Sequence, residues 1–405
     1  MSVEIAPCGS VEELADALVI GHYFGGGGPD VESAERFSRN LPVDRMHAVR
    51  VDGEVVGGGG AFPFRLTVPG GTVPSGGVTV VGVLPTHTRR GLLTALMRAQ
   101  LDDMRSRGEH VAYLWASDDR IYGRFGFGIA SFTLAVEIVR DRASFTVPLE
   151  PGGRTRLVVL DEAAPLAADV YERVALTQPG MFARSQTWWQ TRALVDAPER
   201  RPAGAGAKIC AVHEIDGSPE GYAIYRVHQK FEDGVSVGSV DVQEAMGTTP
   251  GATAAIWRFL LGVDWMHSVR TRLLPVDHPL LLLLAEPRRL QARVGDGLWV
   301  RLVDVGEALA ARTFRDGAPV VLEVADAFCP WNEGRWRVSS GGVERTEGEP
   351  DLRCDVRELG SVYLGGFTWG ELARAGRVEE AADGAAARAD ALFAVDRAPW
   401  CPEIF

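Results

Sequence analysis

Between Val78 and Gly108 the apolar side chains change period, and that change limits the possible fold more than any other feature of the chain. VTVVGV, residues 78–83, is a β-branched run that reads as a buried strand. From Gly91 the apolar positions fall at Leu92, Leu93, Leu96, Met97, Leu101 and Met104, an i, i+3, i+4 stripe that predicts an amphipathic helix stopped near Gly108. A helix delivered straight from a strand packs back onto the sheet it left. HVAYLWAS, residues 110–117, is the next buried strand. Upstream, hairpin turns are expected at Asp52-Gly53 and at Pro69-Gly70-Gly71. The Gly runs at 25–28 and 57–60 read as loops, since neither has the G-x-G-x-x-G spacing of a nucleotide fingerprint.

The chain is 405 residues long, enough for two or three domains. Residues 149–155, LEPGGRT, read as a linker, after which the strand logic restarts in KICAVHEI, GYAIYRVHQ and SVGSVDVQEAM. A helix follows over TTPGATAAIWRFLLGV, with Thr248 or Thr249 as N-cap. This is a degenerate repeat of the first unit without its Arg/Gly-rich loop. From about Leu298 a third pattern of short strands and helices ends in an Ala-rich helix. The expected division is 1–150, 151–294 and 295–405, in a mixed α/β (α+β) fold.

Other properties narrow the function. The net charge of −12 argues against nucleic acid as a partner and favours cationic ligands by long-range steering. No apolar run reaches the roughly 20 residues needed to span a bilayer, so no membrane role is expected. The start, MSVEIAPCGSVEELADAL, lacks the basic and apolar regions of a secretory signal, which gives a cytoplasmic reading. Five scattered cysteines without C-x-x-C point to neither disulfides nor a metal site.

The loop into the first helix, Thr88-Arg89-Arg90-Gly91-Leu92-Leu93, has the chemistry of an anion site. First-turn N–H groups lack intrahelical partners, the helix dipole adds positive potential, and Gly91 admits a close ligand. Arg89 and Arg90 oppose the dipole, so an ordinary helix start gives no reason for them.

This strand–loop–helix resembles the acetyl-CoA site of the GNAT N-acetyltransferases, with Thr88 at the motif's usual Gln/Arg and Leu93 at its final Gly/Ala. Together with WASDDRIYGRFGFGIAS (115–131), GYAIYRV, VDVQEAMGTT, WRFLLGVD, DGLWVRLVDV, EALAAR and SVYLGG, it resembles the Eis family of GNAT acetyltransferases, collinearly from about residue 45 onward. The resemblance implies two tandem GNAT-like domains, the second without cofactor, then a domain similar to sterol carrier proteins, assembled as a homohexamer. It implies acetyl transfer from acetyl-CoA, with no metal, to amines of aminoglycosides or other polyamine-like cations. Val81, Gly82 and Val83 would run beside the pantetheine. Arg89, Arg90, Gly91, Leu92, Leu93 and Thr94 would cradle the pyrophosphate, with Ser117 and Asp118 at the strand end. Tyr122 would be the catalytic proton donor. The proton acceptor would be the carboxylate of Phe405, with Trp400 and Ile404 supplying burial to fix the tail and Glu403 adding charge for a cation. Asp118, Asp119 and His87 are the other candidate bases, and Asp30, Glu32 and Glu35 weaker anionic ones. Alternatives are acetylation of protein lysines or polyamines, and a non-catalytic scaffold that holds a lipid.

Overall fold

The structure, a computed structural model, describes residues 2–23, 30–146 and 152–405; the 25–28 Gly run and residues 149–151 of the expected 149–155 linker lie outside the described residues. The chain forms two compact units. One comprises residues 1–131, 297–396 and Phe405, the other residues 132–296 and 397–404.

The first unit opens with strand β1 (Val3–Pro7), helices α1 (Val11–Ala17) and α2 (Val31–Ser38), and strands β2 (Met46–Val51), β3 (Glu54–Val68) and β4 (Gly71–Val83). Helix α3 (Leu92–Ser106), strand β5 (Val111–Trp115), the short helix α4 (Asp119–Tyr122) and strand β6 (Gly128–Ile129) follow. Both hairpins form as expected. Asp52 and Gly53 adopt φ 50° and 90°, the left-handed pair of a tight turn, and β3 and β4 are joined through Pro69 and Gly70.

The 57–60 Gly run is strand, not loop. It lies inside β3, and bulk is what it cannot carry: a Cβ on Gly58 would sit 2.3 Å from the Ala17 carbonyl, and one on Gly59 3.1 Å from Gln100 and Val81. These glycines let α1 and α3 approach the sheet. Helix α3 buries Leu92, Leu96, Met97, Leu101 and Met104 as its stripe predicts, together with Gln100, while Leu93 is only partly covered. Truncating one of these residues, such as Leu96→Ala, costs about 2–5 kcal/mol.

The sheet order is β1-β2-β3-β4-β5, then strand Leu298–Leu302, then β6. The strand that follows β6 in sequence, β7 (Phe132–Val139), belongs instead to the second unit's sheet. That sheet also holds β8 (Arg154–Val158), β9 (Ala205–Ile215), β10 (Ser218–His228) and strands Ser239–Gly247, Ser268–Leu274 and Arg293–Asp296, with helices α5 (Leu160–Ala175) and Pro250–Leu261. The linear cuts expected at 150/151 and 294/295 therefore shift to 131/132 and 296/297. Pairing decides this: Leu298–Leu302 matches β5 rung for rung, from Leu298 opposite Trp115 to Leu302 opposite Val111. Strand β7 pairs Val139 through Val136 with Ser268 through Thr271.

The rest of the first unit is a five-stranded sheet around Val320–Ala325, with helices Val305–Ala310, Val356–Tyr363, Trp369–Arg374 and the Ala-rich Ala385–Phe393. A groove on it is lined by Glu323, Glu333, Arg353 and Glu379 together with Val324, Ala325, Cys354 and Val378.

Candidate active site

The site begins where a sheet comes apart. Strands β4 and β5 are parallel and pair only from Ser75–Val111 to Gly77–Tyr113. Beyond Gly77, β4 continues six residues to Val83 without β5 beside it. It also carries a bulge: Gly60 faces Thr79 and Gly58 faces Gly82, so Val80 and Val81 oppose Gly59 alone. Val80 takes φ 49°, a costly conformation for a β-branched residue, stored beside the opening.

Helix α3 starts above this gap. Its N-cap is Gly91 at φ 79°, with no side chain to occupy the first-turn N–H groups and nothing within 4 Å of where a Cβ would stand. Arg89 is also left-handed, at φ 63°. Leu92, Leu93 and Thr94 thus present free helix-start donors to an open space, while Val81 and Val83 present β4 backbone. That combination fits a pyrophosphate joined to an amide-bearing arm.

These elements enclose a cleft of about 510 Å³. Val81, Gly82, Val83, Arg89, Gly91, Leu92, Leu93, Thr94, Ser117, Asp118 and Tyr122 line it, as do His87, Thr88 and Arg124. Two expected residues are not on its wall. Arg90 turns back on the loop and donates to the Thr86 carbonyl at 3.2 Å. The Phe405 ring packs edge-on against Tyr113 and Phe64, with centroids 5.1 and 5.3 Å away. It does so at the last β4–β5 rung, on the sheet face away from α3: a Cβ on Gly76 would meet Met104 of α3, whereas one on Gly77 would meet Phe64 and Phe405.

Sequence reasoning missed Ile20, Tyr23 and Ile121 on the wall. The Tyr23 hydroxyl donates to the Val83 carbonyl at 2.5 Å, occupying backbone expected to be available to a ligand. No local pattern marks this, because Tyr23 and Val83 meet only through the fold.

Tyr122 ends α4 and is 7 % exposed. Burial, and secondarily the Asp118 carboxylate, pushes its phenol up to about 12. Asp118 caps α4 by accepting from the Arg120 N–H, and it holds the Arg120 guanidinium at 2.8 Å. The Arg120 hydrogen bonds keep its carboxyl at about 2, so it is a poor base. Asp30 is committed as well: it caps α2, whose Glu32 pairs with Arg36.

In the second unit the corresponding helix is closed. Thr249 caps Pro250–Leu261 by accepting from Ala252 N–H at 3.1 Å, and Pro250 contributes no N–H. Residues 397–404 pack within the same unit. The Trp400 indole donates to the Leu273 carbonyl at 2.8 Å, and Glu403 bonds Trp188 at 2.8 Å and the buried Arg184 at 2.9 Å. Arg184 also holds Glu244 at 2.6 Å and stacks on Tyr171. Trp400 is buried as expected. Ile404 is 57 % exposed, so it supplies no burial, and Glu403 is spent on protein cations rather than left for a ligand.

Comparison with known proteins agrees with this architecture. Residues 19–130 and 180–302 each match an acetyltransferase (GNAT) domain family, and residues 305–402 match a sterol carrier protein domain family. An uncharacterized N-acetyltransferase of Streptomyces avermitilis is 43% identical over 390 residues, 94% of each chain. The N-acetyltransferase Eis of Mycobacterium tuberculosis is 34% identical over 383 residues, 90% of each chain. The crystal structure of Eis1 from Mycobacterium abscessus superposes with a TM-score of 0.88 at 38% identity, covering 99% of this chain and 100% of that one. With an uncapped helix start above a split sheet in the first unit, a self-capped one in the second, and full-length similarity of this order, the chain belongs to the Eis family of GNAT N-acetyltransferases.

Proposed function

We propose that this protein moves the acetyl group of acetyl-CoA onto primary amines of small polycationic molecules, aminoglycosides foremost. The observation that carries the reading is the cleft, which gathers free helix-start donors, the side of β4 that β5 leaves uncovered and Tyr122 in one space. The cosubstrate supplies an activated acetyl thioester. The first turn of α3 and Arg89 bind its phosphates, and Val81 and Val83 orient its amide arm. Tyr122 is a neutral O–H donor at physiological pH, since its phenol is pushed up to about 12, and it donates to the departing sulfur as negative charge develops. Ile121, packed with the Tyr122 cluster, adds apolar surface beside the donor. The amine approaches from the face away from α3, where the Phe405 ring packs, and the Phe405 carboxylate takes its proton. The acidic balance of the chain, −12, favours cationic acceptors.

The test is mass spectrometry after incubation with acetyl-CoA and a panel of aminoglycosides, linear polyamines and lysine peptides. The expected result is one or more acetyl increments on aminoglycosides at rates well above those on peptides. Modification of peptides alone would overturn the substrate assignment.

A further inference from the structure

One loop of the C-terminal region touches both halves of the cleft from behind. Asp326 is 1 % exposed and its carboxylate is fully engaged. One oxygen accepts from Arg301 Nη2 at 2.6 Å and from Asn332 Nδ2 at 2.9 Å, and the other from the Cys329 N–H at 2.9 Å. Arg301, on strand Leu298–Leu302, is completely buried. Its guanidinium lies directly beneath the turn that carries Tyr122: a Cβ on Gly126, at φ 84°, would stand 2.7 Å from Nε and 2.9 Å from Cζ. From the same loop, Phe328 packs on Phe125 of that turn with centroids 5.2 Å apart. The other edge of the loop grips α3. The Arg98 guanidinium lies 4.2 Å from the centroid of Phe328, and that of Arg105 4.6 Å from the centroid of Trp331. Tyr122, Phe125, Phe127, Met97, Leu101 and Cys329 share one hydrophobic cluster.

A buried ion pair is weak evidence for stability, because the desolvation cost offsets the attraction. Its better-attested use is to fix one arrangement among several. Here the pair sits under a glycine whose position leaves no room for a Cβ above the guanidinium, four residues after Tyr122, the final residue of α4. We infer that Arg301 and Asp326 are positioning residues for acetyl transfer, and that the loop Asp326–Asn332 of the sterol-carrier-like region sets where Tyr122 stands relative to the start of α3. The inference rests on the reading of Tyr122 as the donor. It assigns the C-terminal region a part in the chemistry through the loop, without any ligand of its own.

The experiment compares the apolar double variant Arg301→Met/Asp326→Leu with the unaltered protein, each also in a Tyr122→Phe background. Replacing both charges by side chains of similar volume avoids stranding one of them. Expected are a kcat at least tenfold lower, acetyl-CoA affinity within twofold, and no further loss of kcat in the Tyr122→Phe background. An unchanged kcat in the double variant, or an equal additional loss on top of Tyr122→Phe, overturns the inference. If Tyr122→Phe alone leaves kcat intact, it is the donor assignment that fails. Phe328→Leu is the second variant for the case in which the double variant does not fold: kcat down several-fold at unchanged acetyl-CoA affinity supports the proposal, and an unchanged kcat contradicts it.

Discussion

Burial moves Tyr122 away from the value at which a phenol best matches a thiol, and this changes what the residue can do. A free phenol near 10 gives up its proton readily to a thiolate. Pushed up to about 12, it holds that proton until the leaving sulfur carries nearly full charge. The sign follows directly: a raised value keeps the donor protonated everywhere below about pH 10, so the donor contributes no limb to the pH–rate profile between pH 6 and 9. The profile should rise with pH instead, as the substrate amine loses its proton. A descending limb below pH 9 would contradict the assignment. Tyr23 makes a separate prediction. Its hydroxyl already occupies the Val83 carbonyl, so an arm binding along β4 must displace it. Since a net hydrogen bond is worth about 0.5–1.5 kcal/mol, Tyr23→Phe should tighten acetyl-CoA binding by up to roughly tenfold in calorimetry. Weaker binding would make Tyr23 a contact rather than a competitor. At this scale the sequence was legible where chemistry is local. Arg89 and Gly91 could be placed because a helix start advertises itself within a few residues, and Thr94 followed from the family resemblance. Tyr23 and the Val80 bulge could not, since their roles depend on segments some sixty residues apart or on the pairing of β4 with β3.

Two helix starts in equivalent places make opposite use of the same backbone groups. Helix α3 begins at a glycine and leaves its donors to the cleft, whereas Pro250–Leu261 begins at Thr249 and satisfies its own. Gly91→Ala should therefore raise the acetyl-CoA dissociation constant at least tenfold while costing only about 1 kcal/mol of stability from its left-handed φ. Thr249→Ala should do the reverse, losing about 1 kcal/mol with the cofactor affinity unchanged. Calorimetry and thermal melts on both proteins check this, and loss of affinity in Thr249→Ala would mean the second helix start has a ligand after all. The missing Arg/Gly loop before Pro250 was visible in the residues. The Gly57–Gly60 run was misread because glycine usually marks turns; inside β3 it instead marks close approach by α1 and α3. The exchange of β7 and Leu298–Leu302 between sheets left no trace in periodicity, since each is an apolar strand that sits between two neighbours and only the partners decide.

Across the whole molecule, stability and activity should separate with pH. His278 lies in the second unit, fully buried, with Trp257 against its ring and Nδ1 accepting the Leu280 N–H at 3.1 Å. Burial lowers its pKa to about 3. Below 6.5 the unfolded chain takes up a proton that the folded chain refuses, so this contribution to stability is intact above pH 6.5 and is lost progressively as pH falls toward 3. The loss is about 2 kcal/mol by pH 5. His278→Gln should flatten the dependence of the melting temperature between pH 7 and 5; an unchanged slope would place the acid sensitivity elsewhere. None of this touches the cleft, which lies wholly in the first unit. The central claim is that the cleft binds acetyl-CoA through the α3 start and β4 while Tyr122 serves the chemical step alone. It is tested most directly by measuring kcat and the acetyl-CoA dissociation constant together for Tyr122→Phe. The account predicts that kcat falls by about a hundredfold or more while the dissociation constant stays within twofold. An unchanged kcat, or an affinity that falls in step with it, would contradict the account.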